Sequence, residues 1–177
     1  MNHTKKMLRD DALKGKTIIV TGGGSGLGKA MTKYFLELGA KVAITSRDFD
    51  KLVLTATELE KETGGICLPV ACDVRHYDQV LLMQQEVLKK FGKIDVLVNN
   101  AGMGFVGAVE ETSLKEVRAV FEPNFFGTLK MTQSVLPYMR KEKSGNIVQI
   151  SSHGGIKAFA GFGIYNASKF ALEGFSE

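Results

Sequence analysis

The sequence predicts an α/β domain built as a doubly wound parallel sheet, on three observations. Apolar runs of strand length alternate with segments of helical period along the chain. Strands separated by helices in this way pair in parallel, with helices covering both faces, and right-handed crossovers wind the sheet to either side of its first strand. The length, 177 residues, fits one such domain.

In order, Thr17 to Val20 reads as a buried strand. Lys29 to Leu38 reads as a helix with Ala30, Met31, Tyr34, Phe35 and Leu38 on one face, stopped by Gly39. Lys41 to Thr45 is the second strand. Asp48 to Glu62 is a helix ended by Gly64 and Gly65. Ile66 to Ala71 is the third strand, followed by a helix from about Asp78 to Phe91 with Gly92 as its stop. Ile94 to Asn99 is the fourth strand.

A long helical stretch follows from Ser113 to about Lys141, and Ser113 and Glu116 have capping-box spacing. It contains Pro123 and Pro137. Since an interior proline removes a donor and clashes with the carbonyl four residues back, a kink or break is predicted just before Asn124. Asn146 to Ile150 is the fifth strand, and a last helix begins near Tyr165. The fifth strand is apolar on both faces, yet no later segment of the sequence is available to pair with it. The sequence is therefore expected to be incomplete or engineered, or to have this edge covered by a partner.

Composition narrows the function. The formal net charge is +4, and Lys and Arg are spread along the chain without a dense basic stripe. That balance suits an anionic small ligand and gives no nucleic-acid signature. The charged N-terminus is not followed by the apolar stretch of a secretory signal, and no segment approaches a membrane span, so a cytoplasmic protein is expected. Cys67 and Cys72 have no second pair or histidine cluster to complete a metal site, and read as buried strand thiols.

The segment Thr21-Gly22-Gly23-Gly24-Ser25-Gly26-Leu27-Gly28 carries the first chemical signal. Glycines let a backbone turn tightly and approach phosphate oxygens, which the next helix's N-terminus attracts. The pattern G-x-G-x-x-G fits poorly, whereas T-G-x-x-x-G-x-G fits throughout. A P-loop match fails at its last position, where Ala30 stands in place of the Mg²⁺-binding hydroxyl. A glycine-rich turn without a ligand is the plain alternative. At the end of the second strand, Ser46 and Arg47 replace the acidic residue that would bind NAD ribose hydroxyls. Arg47 offers a planar fork to an additional phosphate, which favours NADP, with NAD the alternative.

The second signal is Ser152, Tyr165 and Lys169, at the spacing S-x12-Y-x3-K. A phenol in water titrates near pH 10 and trades protons poorly at neutrality. A cation one helical turn on, on the same face, stabilises the phenolate. Ser152 follows the fifth strand, whose carboxyl end faces the ligand crevice of an open parallel sheet, and its hydroxyl is placed to hold a substrate oxygen as charge develops. His153 beside it does not make a hydrolase, because the G-x-S-x-G setting is absent.

Taken together, Thr21-Gly22-x3-Gly26-x-Gly28, Asp73-Val74, Asn99-Asn100-Ala101-Gly102, Asn124, Ser152 and Tyr165-x3-Lys169 resemble the short-chain dehydrogenase/reductase family, from about Leu13 onward. The resemblance implies a Rossmann-type sheet of strand order 3-2-1-4-5 with further strands beyond, and an NAD(P)-binding domain over 13–177 preceded by an extension over 1–12. The implied cofactor set is Gly22, Gly23, Ser25, Gly26, Leu27, Arg47, Asp73, Val74, Asn100, Ala101, Gly102, Tyr165 and Lys169. In it Asp73 and Val74 flank the adenine, and Asn100 to Gly102 support the ribose side.

The implied catalytic set is Tyr165 as general acid/base, Ser152 as carbonyl holder, Lys169, and Asn124 holding a water in a relay to Lys169. From the residues alone, Asn124 reads equally as a helix-break asparagine satisfying local backbone. The family also implies a small carbonyl or alcohol substrate and a homo-oligomer assembled through the long helix and the last one.

Members usually continue past this lysine with further strands, a nicotinamide loop and a substrate lid. The pair Glu122-Pro123 is unusual for the family. Met7-Leu8-Arg9 and Ala12-Leu13-Lys14-Gly15-Lys16 resemble dienoyl-CoA reductases, while the Tyr/Lys pair resembles ketone reductases. A dienoyl- or enoyl-CoA reductase, and a non-catalytic cofactor-binding module or inactive fragment, are the competing readings. Met103, Phe105, Val106, Ile156, Phe159 and Phe162 read either as an apolar substrate wall or as ordinary loop packing.

Overall fold

The computed structural model describes residues 8–177. The expected extension over 1–12 falls largely outside the described residues, as does Met7 of the dienoyl-CoA-reductase-like segment. Five parallel strands form one sheet in the order β3-β2-β1-β4-β5. They are β1 (Thr17–Thr21), β2 (Lys41–Ser46), β3 (Ile66–Ala71), β4 (Val96–Asn99) and β5 (Asn146–Gln149). Pairing centres on Ile19, which lies opposite Ala43 on one side and Leu97 on the other. The winding reverses between β1 and β4, so the carboxyl ends of these two strands frame the crevice where ligands bind in such sheets.

Side-chain alternation along β1 divides the core between the two faces. Ile18 and Val20, with Val42, Ile44, Cys67 and Val98, pack under α1 (Gly26–Glu37) and α2 (Phe49–Thr63) through Leu36, Leu52, Ala56 and Leu59. Ile19, Ala43, Val70 and Leu97 pack on the other side. They meet Val80, Met83 and Val87 of α3 (Tyr77–Phe91) and Met131, Val135 and Met139 of α5 (Thr128–Lys141). Both thiols are buried, which pushes Cys67 up to about 12 and Cys72 up to about 11.

Three expectations are corrected. The buried face of α1 is Gly28, Thr32 and Leu36, whereas Ala30 and Tyr34 are exposed. The helix starts three residues earlier than periodicity suggested, and Thr32 is buried because its hydroxyl donates to the Gly28 carbonyl at 2.8 Å. The long helix does not break before Asn124. It runs from α4 (Leu114–Phe121) through a π-helical segment (Glu122–Gly127) into α5, so the wider turn absorbs Pro123 without ending the helix. β5 stops at Gln149 because Ile150, although its N–H still donates to the Asn99 carbonyl at 2.9 Å, turns its own carbonyl to Lys169. The capping box at Ser113 and Glu116 is present, and the last helix, α6, spans Gly163–Ser176.

Candidate functional site

The glycine loop joins β1 to α1. Gly22 takes φ +67°, and a side chain there would come within 2.9 Å of the Asn100 amide. A side chain on Gly28 would meet the Gly22 carbonyl. This packing is locked by Thr21, whose hydroxyl oxygen accepts from the backbone N–H of Asn100 and of Ala101, both at 2.9 Å. The Asn100 amide in turn donates to the Thr21 carbonyl at 2.9 Å. Loop and β4 end are thereby held side by side at the winding reversal.

A cleft of about 450 Å³ opens there. Gly22, Ser25 and Leu27 line it, with Arg47, Asp73, Val74, Asn100, Ala101 and Gly102 of the expected cofactor set. Ser46, Arg75, Met103, Ala119 and Pro123 also line it, although the sequence did not single them out as cofactor residues. Gly23, Gly26, Tyr165 and Lys169 of that set do not line it, and Gly23 packs back against Ile44. An adjoining hollow of about 470 Å³ is lined by Arg47 and Lys51, with Gly22, Gly24, Ser25, Ser46 and Asp48. Neither cation has an acidic ion-pair partner among the described residues.

The donor set suits a dinucleotide. α1 begins at the glycine loop with first-turn N–H groups that its own helix leaves unpaired, Ser25 makes no capping bond with its side chain, and Arg47 after β2 and Lys51 in α2 line the adjoining hollow.

Asp73 is tied to Arg75. The guanidinium grips both carboxylate oxygens, and this hydrogen bonding, against some burial, holds the Asp73 carboxyl below the usual range. Val74 packs on Gly127 of the π-helical segment.

The expected catalytic residues lie on three elements. Asn124 is buried in the π-helical segment. Its Oδ1 accepts from the Met103 N–H at 2.8 Å, and its Nδ2 donates to the Met103 carbonyl and to Ser168 Oγ, each at 3.0 Å. Its side chain therefore satisfies local backbone, as one reading predicted, and the carboxamide nitrogen has no proton left for another partner. Ser168 was not legible as its partner, because nothing but tertiary proximity joins them.

Lys169 is buried, and its Nζ donates to the Ile150 carbonyl at 2.8 Å. Burial lowers its pKa, with Glu173 opposing that shift. Asn124 Oδ1 and Lys169 Nζ converge on Gly102, lying 2.9 Å and 4.0 Å from where a β-carbon on that residue would sit.

Ser152 caps the turn His153–Gly155, its oxygen accepting the Gly154 N–H at 3.1 Å, so its own proton is free to be donated. The half-buried Tyr165 ring lies against Gly154 and edge-on to Phe162 at 6.4 Å. Ser152 and Tyr165 thus meet across Gly154, whereas Lys169 and Asn124 meet at Gly102.

The two apolar loops are joined by the Gly107 N–H donating to the Gly161 carbonyl at 2.9 Å. They leave Met103, Val106, Ile156, Phe159 and Phe162 exposed and Phe105 half-buried. Among the described residues no acidic, thiol or imidazole cluster is arranged to hold a metal, and no helix is long and apolar enough to cross a membrane.

A family profile described as short chain dehydrogenase matches residues 16–177, and the chain belongs to that family of oxidoreductases. A 3-ketodihydrosphingosine reductase of Bacteroides thetaiotaomicron is 39% identical over 160 residues, covering 90% of this chain and 55% of that protein. The chain thus spans about half the length of this curated relative.

A short chain dehydrogenase/reductase from Burkholderia phymatum, solved in complex with NAD, superposes with TM-score 0.88 at 32% identity. That superposition covers 93% of this chain and 58% of the other. A metagenomic short-chain oxidoreductase in complex with NADP superposes with TM-score 0.86 at 35% identity, covering 92% and 74%. These relatives and the donor set agree on a nicotinamide cofactor.

Proposed function

We propose that the chain carries the cofactor-binding and proton-transfer residues of an NADP-preferring reductase acting on a ketone or secondary alcohol. The single supporting observation is that two half-sites adjoin at Gly102. Gly102 lines the cleft together with the phosphate-suited donors, and the buried Lys169 ammonium and Asn124 converge on it, while Ser152, with its unspent proton, and Tyr165 lie against Gly154.

When bound, the nicotinamide supplies or takes up the hydride. Ser152 donates a hydrogen bond to the substrate oxygen, fixing the carbonyl and stabilising developing charge. Tyr165 exchanges the proton with that oxygen. The Lys169 charge favours the phenolate and has two further N–H groups for the ribose side. Asn124 ties Met103 to Ser168, and the remaining lone pair of its Oδ1 faces Gly102 as a site for a relay water. Asp73 and Val74 form the adenine wall, and Arg47 with Lys51 receives the extra phosphate that distinguishes NADP.

The alternative of another class is a cofactor-binding module without turnover. Fluorescence titration with NADPH and NADH, followed by a panel of ketones, separates the two. The reading expects tighter NADPH than NADH binding and oxidation with some ketone; binding without oxidation supports the module. Tyr165→Phe is expected to lower turnover by ~100-fold or more, the usual scale of a lost general acid, while dinucleotide affinity holds. Near-full activity in that variant overturns the assignment.

A further inference from the structure

Asp73 is the adenine-side carboxylate of the proposed reading, and in this structure its acceptor sites are filled. Its Oδ1 accepts from the Arg75 backbone N–H at 3.1 Å and from Arg75 Nε at 2.9 Å. Its Oδ2 accepts from Nε at 3.0 Å and from Nη2 at 2.5 Å. A carboxylate offers about four lone-pair sites. An amino group entering the cleft therefore reaches Asp73 only by displacing the guanidinium.

The guanidinium has a second acceptor nearby. Glu122 opens the π-helical segment, and its carboxylate is linked to the 73–75 loop through Lys130. Lys130 Nζ holds both sides of this arrangement, donating to the Arg75 carbonyl at 2.7 Å and to Glu122 Oε2 at 3.4 Å. Val74, between Asp73 and Arg75, rests on Gly127 at the other end of the same segment. The backbone of the 73–75 loop is thus anchored while the Arg75 side chain remains partly exposed at the mouth of the cleft.

We propose that Arg75 is a latch that sets how strongly the chain reads the adenine amino group: its guanidinium occupies Asp73 in the free chain and passes to Glu122 when a 6-amino group takes its place. This assignment rests on the reading of the cleft as an adenine-dinucleotide site. It accounts for the unusual Glu122-Pro123 pair, which puts a carboxylate at the start of the π-helical segment, beside the 73–75 loop.

The test compares two fluorescent ligands by their dissociation constants: NADPH, and its hypoxanthine analogue, in which a 6-oxo group replaces the 6-amino group. The wild-type chain is expected to prefer NADPH. In Arg75→Met the NADPH dissociation constant should fall relative to that of the analogue by roughly tenfold, the scale of one hydrogen bond to a charged group. Any general loss of positive charge affects both ligands and cancels in the ratio. In Glu122→Gln the displaced guanidinium finds a neutral amide oxygen in place of a carboxylate, so the preference should shrink.

A ratio of the analogue's dissociation constant to that of NADPH that Arg75→Met leaves unchanged or lowers overturns the latch, as does Glu122→Gln with an unaltered ratio. Wild-type chain that binds neither ligand overturns the dinucleotide reading together with the latch. Binding of both ligands at an indifferent ratio in every variant overturns the latch alone.

Discussion

At the scale of the residue, Lys169 shows how a sequence motif acquires chemical properties from its surroundings. The spacing Y-x3-K places an amine one turn from a phenol. Burial and the Ile150 carbonyl determine what that amine is like. Because burial lowers its pKa, the unfolded chain binds more protons than the folded one between the lowered value and the usual 10.5. Stability linked to this group therefore rises with pH across that window, since the cost of the buried charge disappears as the amine deprotonates. Denaturant midpoints measured through the alkaline range should climb for the wild-type chain relative to Lys169→Met. Parallel profiles would show that the ammonium is not desolvated.

Asn124 gives the complementary lesson. Its place in the sequence was legible, but its use was not. The bonds to Met103 and Ser168 close over 21 and 44 residues of chain, and no periodicity encodes them.

At the scale of the element, the π-helical segment Glu122–Gly127 is the part the sequence signalled but misdescribed. Pro123 was read as kinking or breaking the helix, and it does not break it. Instead the helix widens by one residue, which puts Asn124 into the interior, Pro123 on the cleft wall and Gly127 under Val74. One short segment therefore touches both the residues proposed to transfer the proton and those proposed to hold the adenine. A β-carbon on Gly127 would lie 2.7 Å from Val74 Cγ2, closer than packed atoms tolerate. Gly127→Ala should cost ~1–3 kcal/mol as overpacking, outweighing the helix propensity gained. It should also weaken dinucleotide binding through the displaced Val74. Thermal melts and titration check both, and a stabilised variant with wild-type affinity would refute the contact.

α1 shows the same limit from another side. An apolar-stripe rule selected Tyr34 and passed over Thr32, because a threonine that pays its hydrogen bond to its own helix is as buriable as a valine.

At the scale of the whole molecule, β5 ends the sheet as a half-exposed edge, with Val148 43% exposed. The outer faces of α5 and α6 also expose Tyr138 and Phe170, and Phe126 of the π-helical segment is exposed beside them. We propose, as the family resemblance implies, that copies associate through the long helix and the last one. Sizing at roughly micromolar concentration should give an assembly larger than one chain, on the scale of interface affinities. A monomer peak there would count against it.

Element order, parallel pairing, the glycine turn and the Ser/Tyr/Lys spacing were all legible in the sequence. Each depends on residues near one another along the chain, or on a period that local geometry imposes. Only the tertiary structure decided what the spent and unspent donors are. It showed that the Asn124 amide is fully used, that the Ser152 proton is free, and that Arg75 fills the acceptor sites of Asp73. Hydrogen-bond satisfaction is a sum over spatial neighbours, and no reading of separations along the chain contains it.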